Sequence, residues 1–329
     1  IVDFNKIQSD KQVEEIISLG ALEIKFSDFG WHVARCNGHD YGELETVFKG
    51  LSNITDKPKV IIADTIKGRG VSFMEGPTAI EDGAGLYKWH AGAPDDDTFE
   101  AGYNELVEKI NRGLGTLGLD TLSMQLLETR EKNRVRLKDT AEKVVSAYGE
   151  ALVEIGAERR DVVVLDADLS ADCGLRLFEN AYPERFIENG IAEQDMVSTA
   201  GGLALHGFLP IVNSFGVFLA SRANEQIYNN ATEKSKIIYV CHYAGLIPAG
   251  PGKSHQSLRD ISLFGALPGF TILEPCNAVE TKAALQWCVN EAPGSCMMRL
   301  VISPSPRSIS FADDYHFVFA KGTVLNEGK

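Results

Sequence analysis

At 329 residues the chain is long enough for one large or two ordinary α/β domains with real cores. Its 44% hydrophobic and 24% charged residues are the balance of a soluble globular protein, with no apolar run of bilayer-spanning length. A formal net charge of -14 argues against a nucleic-acid surface, which needs basic patches, but not against a small anionic ligand held by a few local groups.

The opening IVDFN reads as the end of a buried strand. KQVEEIISLGALEIKFSDFG (residues 11–30) has a helical period, WHVARC is strand-like, and NGHD (residues 37–40) is a loop. A helix (YGELETVFKGLSNI) then leads to the strand KVIIADT and the glycine-rich turn KGRG. This alternation predicts a parallel α/β layer. From Gly76 to Pro94 the density of Gly, Pro and Asp predicts a long loop, of the kind that tends to be functional. Residues 98–111 read as a helix and 113–119 as the start of a linker, followed by the charged helical stretch LLETREKNRVRLKD.

A second βα series follows. DVVVLDADLS is strand then loop, RFIENGIAEQDM is strand, loop and helix start, and AGGLALHGFLPIVNSFGVFLASRANEQI is helix, strand, helix. KIIYVCHYAGLIPAGPGKSHQS is a strand feeding a Gly/Pro-rich loop, FTILEPCNAVETKAALQWCV is strand then helix, and SCMMRLV is a final strand. Polar residues gather just after the strands, where open α/β sheets place ligands. The expected division is 1–112, a linker over 113–138, a second domain over 139–306, and a new segment over 307–329. Both ends read as lying within domains, as in a fragment or one chain of a split enzyme. Six cysteines (Cys36, Cys173, Cys241, Cys276, Cys288, Cys296) without a CxxC pair read as reduced, mostly buried thiols in a cytoplasmic compartment.

Singly, the polar residues have ordinary readings. Glu193 suits a helix N-terminus, Phe215 and Phe218 a helix face in the core, Asn5 a turn, and an isolated histidine a satisfied structural group. Together they carry a resemblance. ENGIAEQDM (residues 188–196) is similar to the glycine-x-x-glutamate segment of the transketolase family. DFNKIQSD, NGHD, TIKGRGVSFME, WHAGAP, LDADLS, FLPIVNSFGVF, GPGKSHQS and ILEPCNAVET resemble its other landmarks, in the right order over nearly the whole chain.

That resemblance implies an α/β fold with two doubly wound parallel-sheet domains that bind thiamine diphosphate. Residues 1–112 would be the later part of the diphosphate-binding domain, 139–306 the pyrimidine-binding domain, and 307–329 the start of a third. It implies that Glu193 hydrogen-bonds the aminopyrimidine ring, a role that calls for a carboxyl made reluctant to ionise by an apolar site. Phe218 would stack on that ring with Phe215 beside it, and Asp168 and Leu169 would flank the cofactor. Asn5 and the carbonyl of Ile7 would hold Mg²⁺ or Ca²⁺ on the diphosphate. His90 would stand near the diphosphate and the reacting carbon, and His255 would bond the donor's oxygen and move protons. His39 reads as structural, as do His32, His206 and His242, the last being the likeliest exception because it ends a strand.

The implied activity is two-carbon ketol transfer from a ketose to an aldehyde, with a deoxyxylulose-phosphate synthase, a 2-oxo-acid decarboxylating enzyme, or a non-catalytic binding protein as alternatives. In this family the cofactor lies between domains of different subunits, which implies a homodimer, or a heterotetramer if the gene is split. The chain also departs from the pattern. The Gly-Asp-Gly half of the metal motif would fall before Ile1, the first residue, and no arginine stands before Tyr148-Gly149. Asp172 stands where a phosphate-binding serine is usual, and Gly250-Pro251-Gly252-Lys253 replaces the aspartate before His255-Gln256. A carboxylate near a phosphate is repulsive unless neutralised. Arg299 and Lys253 are the expected compensating cations, and the acceptor, or both substrates, are expected to differ from ordinary sugar phosphates.

Overall fold

A computed structural model describes residues 1–123, 142–246, 251–301, 309–312 and 315–325. The charged helix expected over 126–139 and residues 124–138 of the expected linker lie outside the described residues. The chain packs as two compact units, Ile1–Lys132 and Asn133–Lys329.

The first unit begins with strand β1 (Val2–Phe4), the antiparallel pair β2 (Ile7–Gln8) and β3 (Lys11–Gln12), and helices α1 (Val13–Ile16) and α2 (Leu22–Asp28). The single helix expected over 11–30 is thus broken, and Gly20 takes the left-handed φ of +58° in the break. Strand β4 (His32–Asn37), helix α3 (Tyr41–Leu51) and strand β5 (Lys59–Asp64) follow as expected. The three longer strands form a parallel sheet in the order β1-β5-β4, with the apolar run Val60–Ala63 of β5 buried at its centre.

Within the expected loop lies helix α4 (Gly76–Asp82), which Pro77 starts from a position where its missing N–H costs nothing. Helix α5 (Asp96–Thr116) is capped by Asp95, whose side chain accepts from Thr98 N at 2.8 Å. It runs through Gly113 and Gly115, where a linker was expected. A glycine weakens a helix by about 1 kcal/mol relative to alanine but removes no hydrogen bond, so two in the last turn do not end it.

The second unit contains α6 (Val144–Glu158), β6 (Val162–Asp166), α7 (Arg176–Ala181), β7 (Phe186–Glu188), α8 (Glu193–Leu205) and β8 (Leu209–Phe215). These are followed by α9 (Gly216–Arg222), α10 (Asn224–Thr232), β9 (Ile238–His242), α11 (Asp260–Phe264), β10 (Thr271–Leu273), α12 (Ala278–Asn290) and β11 (Cys296–Leu300). The six strands are all parallel, in the order β10-β11-β9-β8-β6-β7. Alternate residues of β6 face opposite sides: Val162 and Val164 join the core under α6, α7 and α12, while Val163 and Leu165 join the core under α8 to α11. Covered on both faces, the central strands read as continuous apolar runs, which is why they were legible. Described residues of the C-terminal segment adopt no regular element. Phe319 stacks on Trp287 of α12 at 4.5 Å, and Phe317 lies 6.3 Å from the same ring.

In this sheet the chain leaves β6 towards β7 on one side and returns to build β8 on the other. The C-terminal ends of β6 and β8 therefore bound the topological switch point, the usual ligand position in an open α/β sheet.

Candidate functional site

In the first unit, the expected metal and diphosphate residues gather at the C-terminal ends of β1 and β5. Asn5 Oδ1 accepts from Ile7 N at 3.0 Å, and Asn5 Nδ2 donates to Asp3 Oδ2 at 3.0 Å. Ile7 is buried against Ala79 and Tyr87. Beside them is a cavity of about 380 Å³ lined by Asn5, Lys6, Ile7, Thr65 and Lys67 among others. Lys67 donates to Ser9 O at 3.0 Å and lies 2.9 Å from His90 Nδ1. An ammonium can only donate, so Nδ1 is the acceptor and a neutral His90 carries its proton on Nε2. Lys67 was not singled out from the sequence; its position three residues beyond the end of β5 was the available signal. His39 has the structural place expected of it, its Nε2 accepting from Ile66 N at 2.7 Å.

In the second unit, Asp168 and Leu169 follow β6, Glu193 opens α8 just after β7, and Phe215 ends β8. Asp168 adopts φ +61° and Gly190 φ +67°, so both turns are sharp. Glu193 is only 3% exposed, as its expected role requires, but its surroundings are not simply apolar: Arg222 Nη1 donates to Oε1 at 2.6 Å. The same guanidinium lies over the Phe218 ring, 3.9 Å from its centre. Arg222 also escaped the sequence reading. Four residues beyond Phe218, it shares that helix face, which was the signal.

Phe215 is buried and touches Tyr243, Phe218 and His255 at 4.4, 5.6 and 5.7 Å between ring centres. His255 sits in a short 3-10 turn, Lys253–His255, with its ring 5.1 Å from Phe218 and its Nδ1 3.0 Å from Ser254 Oγ. Gly216 allows this approach, since a Cβ there would lie 2.9 Å from Ser257 Oγ and 3.2 Å from Cys241 Cβ. Glu193, Arg222, Phe218, Phe215 and His255 thus form one connected cluster, with Lys253 exposed in the His255 turn. Gly250, in the same loop, is outside the described residues.

Arg299 does not join the cluster through its charge. It is 6% exposed on β11, bonded through Nε to Asp260 Oδ2 at 2.9 Å and also to Glu274. Deeper lies a polar triad. Tyr148 Oη donates to Asn213 Oδ1 at 2.6 Å, and His242 Nε2 is 3.3 Å from the same oxygen. Burial holds the Tyr148 hydroxyl well above the usual tyrosine range and pushes His242 down to about 3. His242 is therefore a neutral core group.

Residues 142–301 match the family of transketolase pyrimidine-binding domains. Over 99% of this chain and 51% of the relative, the sequence is 31% identical to transketolase-like protein 2 of Mus musculus. It is 28% identical to transketolase of Homo sapiens, over 100% of this chain and 51% of that protein. Among solved structures, a split-gene transketolase described as an inactive beta4 tetramer aligns with a TM-score of 0.50 and 37% identity, over 57% of this chain and 60% of the other. The chain spans about half the length of the curated relatives it matches.

Proposed function

Because the chain belongs to the transketolase family, whose members depend on thiamine diphosphate, we propose that it takes part in two-carbon ketol transfer from a ketose to an aldehyde. The observation that carries this reading is the cluster at the switch point of the second sheet. A buried carboxylate, an aromatic face and a histidine edge meet there within a few ångströms.

The residues present fit the cofactor's two ends. Phe218 offers a flat face beside a carboxylate, which matches a ring that both stacks and hydrogen-bonds. The cavity of the first unit has two lysines, Lys6 and Lys67, with the Asn5 amide oxygen and the Ile7 backbone on its wall. Cations suit a diphosphate, and hard oxygens suit Mg²⁺ or Ca²⁺, with the remaining metal ligands coming from phosphate and water. When bound, thiamine diphosphate supplies a nucleophilic carbon that adds to carbonyls. Glu193 holds a proton at the ring nitrogen and fixes the ring's orientation. Phe218 and Phe215 exclude water from the ring's faces, with Asp168 and Leu169 beside them. Nε2 of His90 and the ring of His255 give and take protons at substrate oxygens.

Arg299 is engaged by two carboxylates, so of the two cations expected from the sequence Lys253 is the one left for the substrate. This supports an acceptor other than an ordinary sugar phosphate. Five of the six cysteines are buried and all are free, which supports a reducing, cytoplasmic setting. We place the active form in an assembly with a second copy or a second chain.

The test is turnover with thiamine diphosphate and Mg²⁺, with products separated into ketol transfer, decarboxylation with condensation, and acyl transfer. Glu193→Ala is expected to abolish turnover while sparing the fold by circular dichroism; near-normal activity in that variant refutes the assignment. Efficient turnover of ribose 5-phosphate with xylulose 5-phosphate sinks the non-standard acceptor.

A further inference from the structure

Two carboxyl side chains stand directly opposite each other where β6 and β7 end, Asp166 and Glu188. Asp166 is fully buried and Glu188 half-buried. Both turn their oxygens to the backbone of the loops that follow. Glu188 Oε1 accepts from Asp168 N at 2.9 Å and from Gly190 N at 2.8 Å. Asp166 Oδ2 accepts from Leu169 N at 2.9 Å, and Asp166 O accepts from Asn189 N at 3.0 Å. Asn189 Nδ2 in turn donates to Asp195 Oδ2, in the first turn of α8, at 3.0 Å.

These bonds hold two left-handed residues of the site, Asp168 and Gly190. A non-glycine residue at the φ of Asp168 is strained and persists only where its surroundings fix it. One carboxylate oxygen, Glu188 Oε1, fixes Asp168 and Gly190 together. We propose that Asp166 and Glu188 form a proton-sharing carboxyl pair that positions two loops against each other, the loop of Asp168 and Leu169 and the loop leading into Glu193. Its consequence for cofactor binding rests on the proposed function; the clamp itself does not.

Two adjacent carboxylates in a buried place do not both ionise. Burial first, and the neighbouring Glu188 second, hold the Asp166 carboxyl well above the usual carboxylate range, so Asp166 keeps the proton. Asp166 Oδ1 is buried without a hydrogen-bond partner, which makes it the place for the proton, and Glu188 stands opposite it in the strand pair as the carboxyl that would share it. Tyr148 of α6 and Cys173 also feel Asp166, and burial keeps both neutral. With the proton on Asp166, the Glu188 oxygens are left to accept from the two backbone amides.

The experiment combines infrared spectroscopy, amide hydrogen exchange and calorimetric titration with thiamine diphosphate on the purified protein. A protonated-carboxyl band is expected at neutral pH and is lost in Asp166→Asn. That variant replaces the shared proton with an amide donor, so exchange at Asp168 and Gly190 and cofactor affinity stay within about twofold of the parent. Glu188→Ala removes the shared acceptor and is expected to speed both amides about tenfold and weaken the cofactor about tenfold, with the fold retained by circular dichroism. No protonated-carboxyl band at neutral pH, or one that persists in Asp166→Asn, overturns the pair even if Glu188→Ala does not fold. Unchanged exchange at Asp168 and Gly190 in a folded Glu188→Ala overturns the clamp. A parent that binds no thiamine diphosphate, with band and exchange as expected, refutes the cofactor reading and supports the clamp alone.

Discussion

Arg222 makes with one guanidinium the two interactions that Glu193 and Phe218 offer to a flat, hydrogen-bonding ring. It donates to the Glu193 carboxylate at 2.6 Å and lies over the Phe218 ring at 3.9 Å. A ring that stacks on Phe218 and bonds Glu193 competes with it for the carboxylate and, on that side, for the ring face. Arg222 is about half exposed, so the ion pair contributes at most about 1 kcal/mol and the stacking about as much.

Replacing Arg222 with methionine, which keeps an unbranched side chain and drops the charge, is therefore expected to tighten thiamine diphosphate binding about fivefold. Isothermal calorimetry checks this. Weaker binding in Arg222→Met would make the guanidinium a cofactor contact rather than a competitor.

The diphosphate end gives an independent prediction. Lys67 sits between Ser9 O, His90 Nδ1 and the cavity near Asn5, and its charge is the one that can reach either the histidine or a phosphate. Lys67→Met is expected to weaken inorganic pyrophosphate binding about tenfold, the size of one charge-assisted bond. The difference between parent and variant should shrink with added salt, because a partly exposed charge is screened. Titration at two ionic strengths reads both. Equal affinities at low salt would place the diphosphate elsewhere.

Much of the second unit was legible because its signals are local. The apolar runs of β6, β8, β9 and β11 leave little choice but buried parallel strands, and the polar residues after them sit where such a sheet binds ligands. What was not legible depends on partners distant in sequence. Nothing near Arg299 announces Asp260 and Glu274, so it read as a spare cation. Glu188 read only as part of a motif, because its hydrogen bond to Asp168 N spans twenty positions. In the first unit, proline at the start of α4 read as a breaker, although proline is tolerated in a first turn. The composition of that stretch masked a two-turn helix.

Gly216 is the tightest joint of the cluster. A methyl group there would meet Ser257 Oγ at 2.9 Å and Cys241 Cβ at 3.2 Å. The strand carrying Cys241 is central and cannot yield, so the turn bearing His255 must move. Gly216→Ala is expected to cost about 1–3 kcal/mol of stability, the usual range for overpacking, and to reduce turnover more than cofactor affinity, since His255 is placed on the substrate side. Denaturant melts together with kcat and Kd check it; a variant with unchanged stability would mean that the turn gives way freely.

The buried triad of Tyr148, Asn213 and His242 sets how the second unit responds to acid. His242 is fully buried with its carboxamide partner at 3.3 Å, and burial holds it neutral, down to about 3. An unfolded histidine takes a proton near 6.5, the ordinary value. Below that pH the unfolded state binds a proton that the folded state refuses, so stability is complete above about pH 6.5 and falls as the pH drops towards 3. The slope is half its full value of about 1.4 kcal/mol per pH unit at pH 6.5 and approaches that value by pH 5, so the parent should lose about 1.6 kcal/mol between pH 6.5 and pH 5 from this group. His242→Gln keeps an N–H for Asn213 and cannot titrate. Whatever it costs at pH 7, its loss between the two pH values should be smaller than the parent's by about that amount. Denaturant midpoints at both pH values decide the matter, and parallel pH dependences in parent and variant would mean that His242 is charged in the folded protein.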